Sequence, residues 1–178
     1  MRTLTLLRHA KSSWDDLVQR DFDRPLNARG RRAAQTIGRE LRLLGAVFDR
    51  VIASPAARVT ETLQDVEQGF GQPLRPQFDR RIYLASAAQL LEIVQEADDR
   101  VHNLMLVGHN SGLEMLALLL SAEGELRTEV EAKYPTATVA QIELPVEHWA
   151  QVAPGAGRLA RFIRPRDLDP ELGPDDGA

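Results

Sequence analysis

Leu4-Thr5-Leu6-Leu7-Arg8-His9 and Leu104-Met105-Leu106-Val107-Gly108-His109 are the two stretches on which the fold turns. Each is a short apolar run that gives way at once to polar or small residues, the pattern of a buried parallel strand. In an open α/β sheet, ligands bind outside the carboxyl ends of the strands. Two such ends, each followed by a histidine, can face one another across a single crevice. Arg8 beside His9 suits that crevice to an anion.

Between and beyond these runs, strands and helices alternate. The spacing predicts strands over Arg2–Leu7, Phe48–Ala53 and Asn103–Val107, with a short edge strand over Leu74–Phe78. Asn27 is placed to cap a helix in which Ala33, Ile37, Leu41 and Leu44 recur at helical spacing until Gly45 stops it. Ser54-Pro55 supplies a cap and a first-turn proline for a second helix, with Val59, Leu63, Val66 and Phe70 as its buried stripe. Gly69, Gly71 and Pro73 then break the chain. Further helices are expected over Ala87–Ala97 and Ser111–Ser121, the latter so apolar that it should be buried. After a charged segment, Thr136–Leu144 and Leu159–Arg164 read as strands, with His148–Val152 a third candidate. From Asp167 onward Asp, Glu, Pro and Gly dominate, so a single domain over 1–166 and a frayed tail over 167–178 are expected. The alternation implies an α/β fold, a three-layer α/β/α sandwich around a mainly parallel sheet, with the last strands added at one edge.

Composition narrows the function. The 178 residues carry a formal net charge of −4, which argues against a nucleic-acid surface. Arg29, Arg31, Arg32, Arg39 and Arg42 lie along one helix and read as its solvated face. With no cysteine, neither a disulfide framework nor a thiolate metal site can form. The longest apolar stretch, Met115–Leu120, is too short for a membrane span. No signal segment precedes the first strand, so a cytoplasmic location is the default expectation, and a monomer the working one. His9 and His109 lack a third ligand at metal spacing, and nearby arginines would repel a cation. No metal or other cofactor is expected.

Arg58 falls in the first turn of the second helix, away from its apolar stripe, with Thr62 one turn on. There it adds a fork of donors to the free N–H groups of the helix end. Gly108 permits close backbone approach beside His109, and the helix from Ser111 points its positive end at the same spot. His102 and His148 have no such company and read as surface or packing residues.

Arg8-His9-Ala10, the stretch Ser54-Pro55-Ala56-Ala57-Arg58 with Thr62, and Val107-Gly108-His109-Asn110-Ser111-Gly112-Leu113 together resemble the histidine phosphatase (phosphoglycerate-mutase-like) superfamily. The short length, Arg8 to Trp14, the Asp23-Arg24-Pro25-Leu26-Asn27 loop and Lys133-Tyr134-Pro135-Thr136 are similar to its SixA-like phosphohistidine phosphatases. The resemblance runs from Arg2 to about Arg164. It implies that His9 is the nucleophile taking the phosphoryl group, that Arg8, Arg58 and His109 hold its oxygens, and that Ser12 adds a hydrogen bond. The implied substrate is a phosphorylated protein, with a small phosphorylated molecule as the alternative.

A histidine nucleophile must be neutral, and adjacent guanidinium groups should keep it so. The chain also departs from the wider family. Ala10 replaces the usual glycine, Asp15 stands where many members carry a pocket asparagine, and Asp79–Leu84 offers no glutamate to act as general acid. Expelling an alkoxide needs such an acid. A phosphohistidine does not, because its second ring nitrogen takes a proton from solvent. Three readings follow: a phosphohistidine phosphatase working through a phosphohistidine intermediate, a small-molecule phosphomonoesterase using Asp15, Asp16 or another loop carboxylate as acid, and an idle phosphate-binding or partner-docking module.

Overall fold

A computed structural model describes residues 1–173. Its elements in chain order are β1 (Arg2–Arg8), α1 (Ala28–Leu43), β2 (Arg50–Ala53), α2 (Ala57–Phe70), β3 (Gln77–Phe78), α3 (Ala87–Gln95), β4 (Asn103–Gly108), α4 (Gly112–Leu120), α5 (Glu125–Ala132), β5 (Val139–Leu144), β6 (Arg158–Ile163) and α6 (Pro165–Leu168). The strands form one sheet in the order β3-β2-β4-β1-β5-β6. All pairings from β3 to β1 are parallel, and only β5 runs against the rest. The expected three-layer α/β/α sandwich is therefore what forms, with the late strands added beside β1.

Alternation along the central strands sends side chains to two separate cores. Leu7, Met105 and Val107 pack with α1 and α2 on one face, while Leu4, Leu6, Leu104 and Leu106 pack with α3 and α4 on the other. A strand buried on both faces must read as continuously apolar, which is why β1 and β4 were legible.

Asn27 caps α1 as its position predicts, accepting from Gly30 N at 2.8 Å. The second cap differs. Ala56, not Ser54, holds the N-cap position of α2, and the Ser54 hydroxyl is used elsewhere. Gly69 does not break the chain but lies buried inside α2, whose stop is Gly71 in the left-handed region at φ 78°. A Cβ on Gly69 would sit 2.2 Å from the Gln35 carbonyl oxygen, and one on Gly38 2.2 Å from that of Val66. Reciprocal glycines thus let the backbones of α1 and α2 touch.

Four further expectations are corrected. The charged segment after α4 is itself helical, as α5, and buries only Val130. His148–Val152 is not a strand but contains a 3-10 turn over Trp149–Gln151. Its Trp149 is fully buried and donates from Nε1 to Val101 O at 2.7 Å. The helix α4 is not wholly buried, since Met115 is 55% exposed. Finally, the chain does not fray at Asp167. It continues through α6 and a 3-10 turn at Pro170–Leu172, with Leu172 in the α1/α2 core and Arg32 reaching Asp169 and Glu171. The remainder of the expected tail, 174–178, lies outside the described residues.

Candidate active site

β1, β2 and β4 end at one level, and the ladder carries on for one residue past them. His9 N donates to Gly108 O at 3.0 Å, Ser54 N to Val107 O at 3.0 Å, and Ala137 N to His9 O at 2.9 Å. The residues after the strands are thereby held as firmly as the strands. His9 and His109, each only 4% exposed, bring their ring centroids to 5.4 Å. The expected facing pair is present.

The tautomer of His9 follows from its partner. Nδ1 lies 2.7 Å from Ala10 O, and a carbonyl only accepts, so Nδ1 carries the proton and Nε2 keeps its lone pair. Ala10 is fixed in turn by α2. Its N–H donates to Thr62 Oγ1 at 2.9 Å, and that hydroxyl donates to Arg58 O at 2.6 Å. His109 Nε2 lies 2.8 Å from Ser54 Oγ, which is where the missing cap hydroxyl goes. Nδ1 of His109 and Nε of Arg58 are buried with no hydrogen-bond partner among the described residues. Groups of this kind usually have a function that the protein alone does not satisfy.

Burial is the leading cause that lowers His9 to about 3, reinforced by His109, Arg8 and Arg58 and opposed by the Ala10 carbonyl. Sequence reasoning credited the guanidinium groups first; in the structure they come after burial. His109 falls to about 3 for the same reasons, with Arg58 the largest charge. Both rings are neutral at pH 7.

Arg8 donates from Nη1 to Tyr134 O at 2.8 Å. Tyr134 is buried and donates its hydroxyl to Leu6 O at 2.6 Å, so β1 itself anchors the residue that orients Arg8. Arg58, 3% exposed, donates from Nη1 to Asp21 O at 2.7 Å and from Nη2 to Asp21 Oδ2 at 3.0 Å. Ser12 is buried, and its Oγ accepts from Arg24 Nη1 at 2.5 Å.

Asp21, Arg24 and Tyr83 were not singled out from the sequence. Asp21 lies in a 3-10 turn, Asp21–Asp23, within the long loop that follows β1. Its Oδ1 also accepts from Arg24 Nε and Nη2 at 3.2 and 3.1 Å, and its Oδ2 from Tyr83 OH at 2.5 Å. Burial opposes ionisation of Asp21, yet the Tyr83 and Arg58 hydrogen bonds, with Arg24, outweigh it and hold the carboxyl at about 2. Arg24 stacks over Trp14, its guanidinium 3.6 Å from the ring centroid. Tyr83 meets His109 edge-on at 5.4 Å. The only signal available was the Arg24-Pro25-Leu26 string, and its geometry depends on the fold.

Asp15 and Asp16 are exposed, and Asp16 Oδ1 serves a local turn by accepting from Val18 N. His102 and His148 are exposed as expected, His148 Nδ1 lying 2.9 Å from Asp99 Oδ2. Arg31, Arg32, Arg39 and Arg42 are exposed, while Arg29 is half-buried. Among the described residues no group of three or more His, Asp or Glu is placed to hold a metal ion, and no helix is long and apolar enough to cross a membrane.

The two buried histidines give stability a pH dependence. Their folded pKa values near 3 lie below the ordinary 6.5, so between those values the unfolded chain binds protons that the folded one refuses. Stability is full above about pH 6.5 and is lost as pH falls toward 3. Between pH 7 and pH 5 the expected loss is roughly 2 kcal/mol per histidine. Urea unfolding at the two pH values should show it, and replacing both rings by asparagine should remove most of it. A midpoint that stays put in the parent protein would contradict the buried neutral pair.

A mainly parallel α/β/α sheet presenting two strand-end histidines and an arginine-rich mouth is the phosphoglycerate-mutase-like arrangement. The model of the histidine phosphatase superfamily (branch 1) matches residues 4–82. An uncharacterized protein of Mycobacterium tuberculosis is 34% identical over 164 residues, which cover 90% of this chain and all of that one. The structure assigned as the phosphohistidine phosphatase SixA of Agrobacterium tumefaciens is 28% identical, with a TM-score of 0.77 over 91% of this chain and 97% of its own. Its counterpart from Nakamurella is 26% identical, with a TM-score of 0.76 over 92% and 96%. The chain belongs to the histidine phosphatase superfamily, and within it is SixA-like.

Proposed function

We propose that this chain is a protein phosphohistidine phosphatase that works through a phosphohistidine intermediate on His9. The observation that carries the reading is the state of His9: buried, neutral, proton on Nδ1, lone pair on Nε2, beside Arg8 and Arg58. A nucleophile so prepared needs no base to activate it. In the first step Nε2 attacks phosphorus in line while Arg8, Arg58 and His109 take the phosphoryl oxygens. In the second, water attacks phosphorus, the P–N electron pair returns to Nε2, and the water protons leave with the phosphate. Phosphoryl transfer is catalysed mostly by such positioning and charge stabilisation.

The substrate class rests on what the site does not offer to a leaving alkoxide. Asp21, the carboxyl group at the mouth, is ionised at neutral pH with a pKa of about 2 and has no proton to give. Asp15 and Asp16, two donors a phosphomonoesterase reading could use, are exposed to solvent, and Asp16 is engaged in a local turn. Burial and the Asp21 bond raise Tyr83 above its usual value, and its hydroxyl is already engaged. A leaving imidazole asks for no donor at the bond that breaks. Trp14, Leu17 and Val18, on the same loop as Asp21, are exposed, an apolar surface that suits approach by another protein.

A panel comparing a phosphohistidine peptide, a phosphoserine peptide and a sugar phosphate tests the reading. The phosphohistidine peptide should lead in kcat/KM by about 100-fold or more, the usual minimum worth of a proton donor. Faster turnover of either phosphate ester would assign the chain to the phosphomonoesterases instead.

A further inference from the structure

The geometry points to Asp21 as a catalytic residue that receives the leaving group. We infer that its carboxylate accepts a hydrogen bond from the far ring N–H of the departing imidazole and so selects protonated N-phosphoryl imidazoles over phosphate esters. This rests on the phosphohistidine reading above and specifies how the site prefers that substrate.

The argument begins with direction. In-line displacement places the leaving group opposite the nucleophile, across phosphorus. His9 lies at the buried floor, so the leaving group points outward to the mouth. Asp21 stands there. Its side chain is 43% exposed, Tyr83 joins it to the edge of His109, and Arg58 joins it to the phosphoryl cradle.

Charge gives the second part. Arg8, Arg24 and Arg58 bring three positive charges to the site and Asp21 returns one negative charge. The resulting excess of two matches a phosphoryl dianion. A carboxylate has about four acceptor positions. Arg24 takes two of Asp21's with Nε and Nη2, and Arg58 and Tyr83 take the others. When a phosphoryl group recruits Arg58, an acceptor on Oδ2 is released on the side the leaving ring occupies.

The step balances without an added proton donor. The His9 Nε2 lone pair forms the new N–P bond and the substrate P–N bond breaks. Its electron pair goes to the leaving nitrogen. The proton on the other ring nitrogen stays in place throughout, so neutral imidazole departs. A negative charge beside that N–H favours the protonated ring from which cleavage is easy. An ester leaving group has no such N–H and draws nothing from Asp21. An ester with a carboxylate near the phosphoryl group is repelled.

The test is the ratio of kcat/KM for a phosphohistidine peptide to that for an aryl phosphate, whose good leaving group needs little assistance. In Asp21→Asn the ratio should fall by about tenfold or more, equivalent to one pKa unit on the leaving ring. Asp21→Glu, which keeps the charge, should hold the ratio within about threefold. Competitive inhibition by inorganic phosphate verifies that each variant still forms the cradle. A ratio unchanged in Asp21→Asn, whether both substrates slow together or neither does, overturns the assignment and leaves Asp21 a positioning residue for Arg58. Parent protein that fails to turn over phosphohistidine at all defeats the functional reading first, and is recognised before any variant is made.

Discussion

Replacing His9 by alanine should abolish both turnover and the phosphoenzyme, with kcat/KM falling by about 10,000-fold or more. No neighbouring group can take over. His109 is the nearest ring, but its Nε2 is engaged with Ser54 Oγ, and it stands at the end of a different strand. Water could attack directly, aided only by the arginines, and that residue of catalysis sets the floor. The measurement is incubation with a labelled phosphohistidine peptide, quenching, and assay for an acid-labile, alkali-stable label on the chain. Parent protein should carry the label and His9→Ala should not. Label persisting in the variant would move the nucleophile elsewhere. Absence of label and turnover in the parent would favour the idle binding module.

Arg58→Ala should cost about 3–4 kcal/mol in kcat/KM, the usual worth of one charge-stabilising donor. Two losses combine there. The phosphoryl group loses a cation, and Asp21 loses its bonds to both guanidinium nitrogens, so the loop that carries it loses its tie to Arg58 and keeps the one to Tyr83. Arg58→Lys should restore little. A lysine ammonium is a compact point donor and cannot bridge the Asp21 carbonyl and a phosphoryl oxygen as the planar fork does. Inorganic phosphate should inhibit both variants more weakly than the parent. Activity in Arg58→Lys close to that of the parent would show that charge alone is wanted at this position.

The sequence was most readable where local pattern and tertiary role coincide. β1 and β4 announce themselves because strands buried on two faces are dominated by apolar residues, Thr5 being the polar exception within the β1 run. Asn27 caps α1 because its role needs only the next three residues. Arg8, His9 and His109 lie at or just past strand ends and Arg58 in the first turn of α2, where position along the chain nearly fixes position in space. Asp21, Arg24 and Tyr83 were hidden because they come from a long loop and a turn, whose meeting depends on the folded whole. α5 escaped because its surface is charged and one buried valine leaves no periodicity. Trp149 was misplaced for the opposite reason. A large ring that plugs the core from a turn gives its neighbours the look of a strand. Pro170 and Gly173 suggested an unstructured end, and the burial of Leu172 depends on α1, far away in the chain.

The glycine contact between α1 and α2 has a mechanical consequence. Two helices whose backbones touch at Gly38 and Gly69, with a shared apolar core along the rest of the seam, behave as one stiff strut. Arg58 rides on that strut, and α1 starts beside the loop that bears Asp21. The backbone that carries the guanidinium is therefore rigidly mounted on the sheet. Positions 38 and 69 never approach the crevice, yet any larger residue there would wedge the strut apart and shift the anchor at its tip.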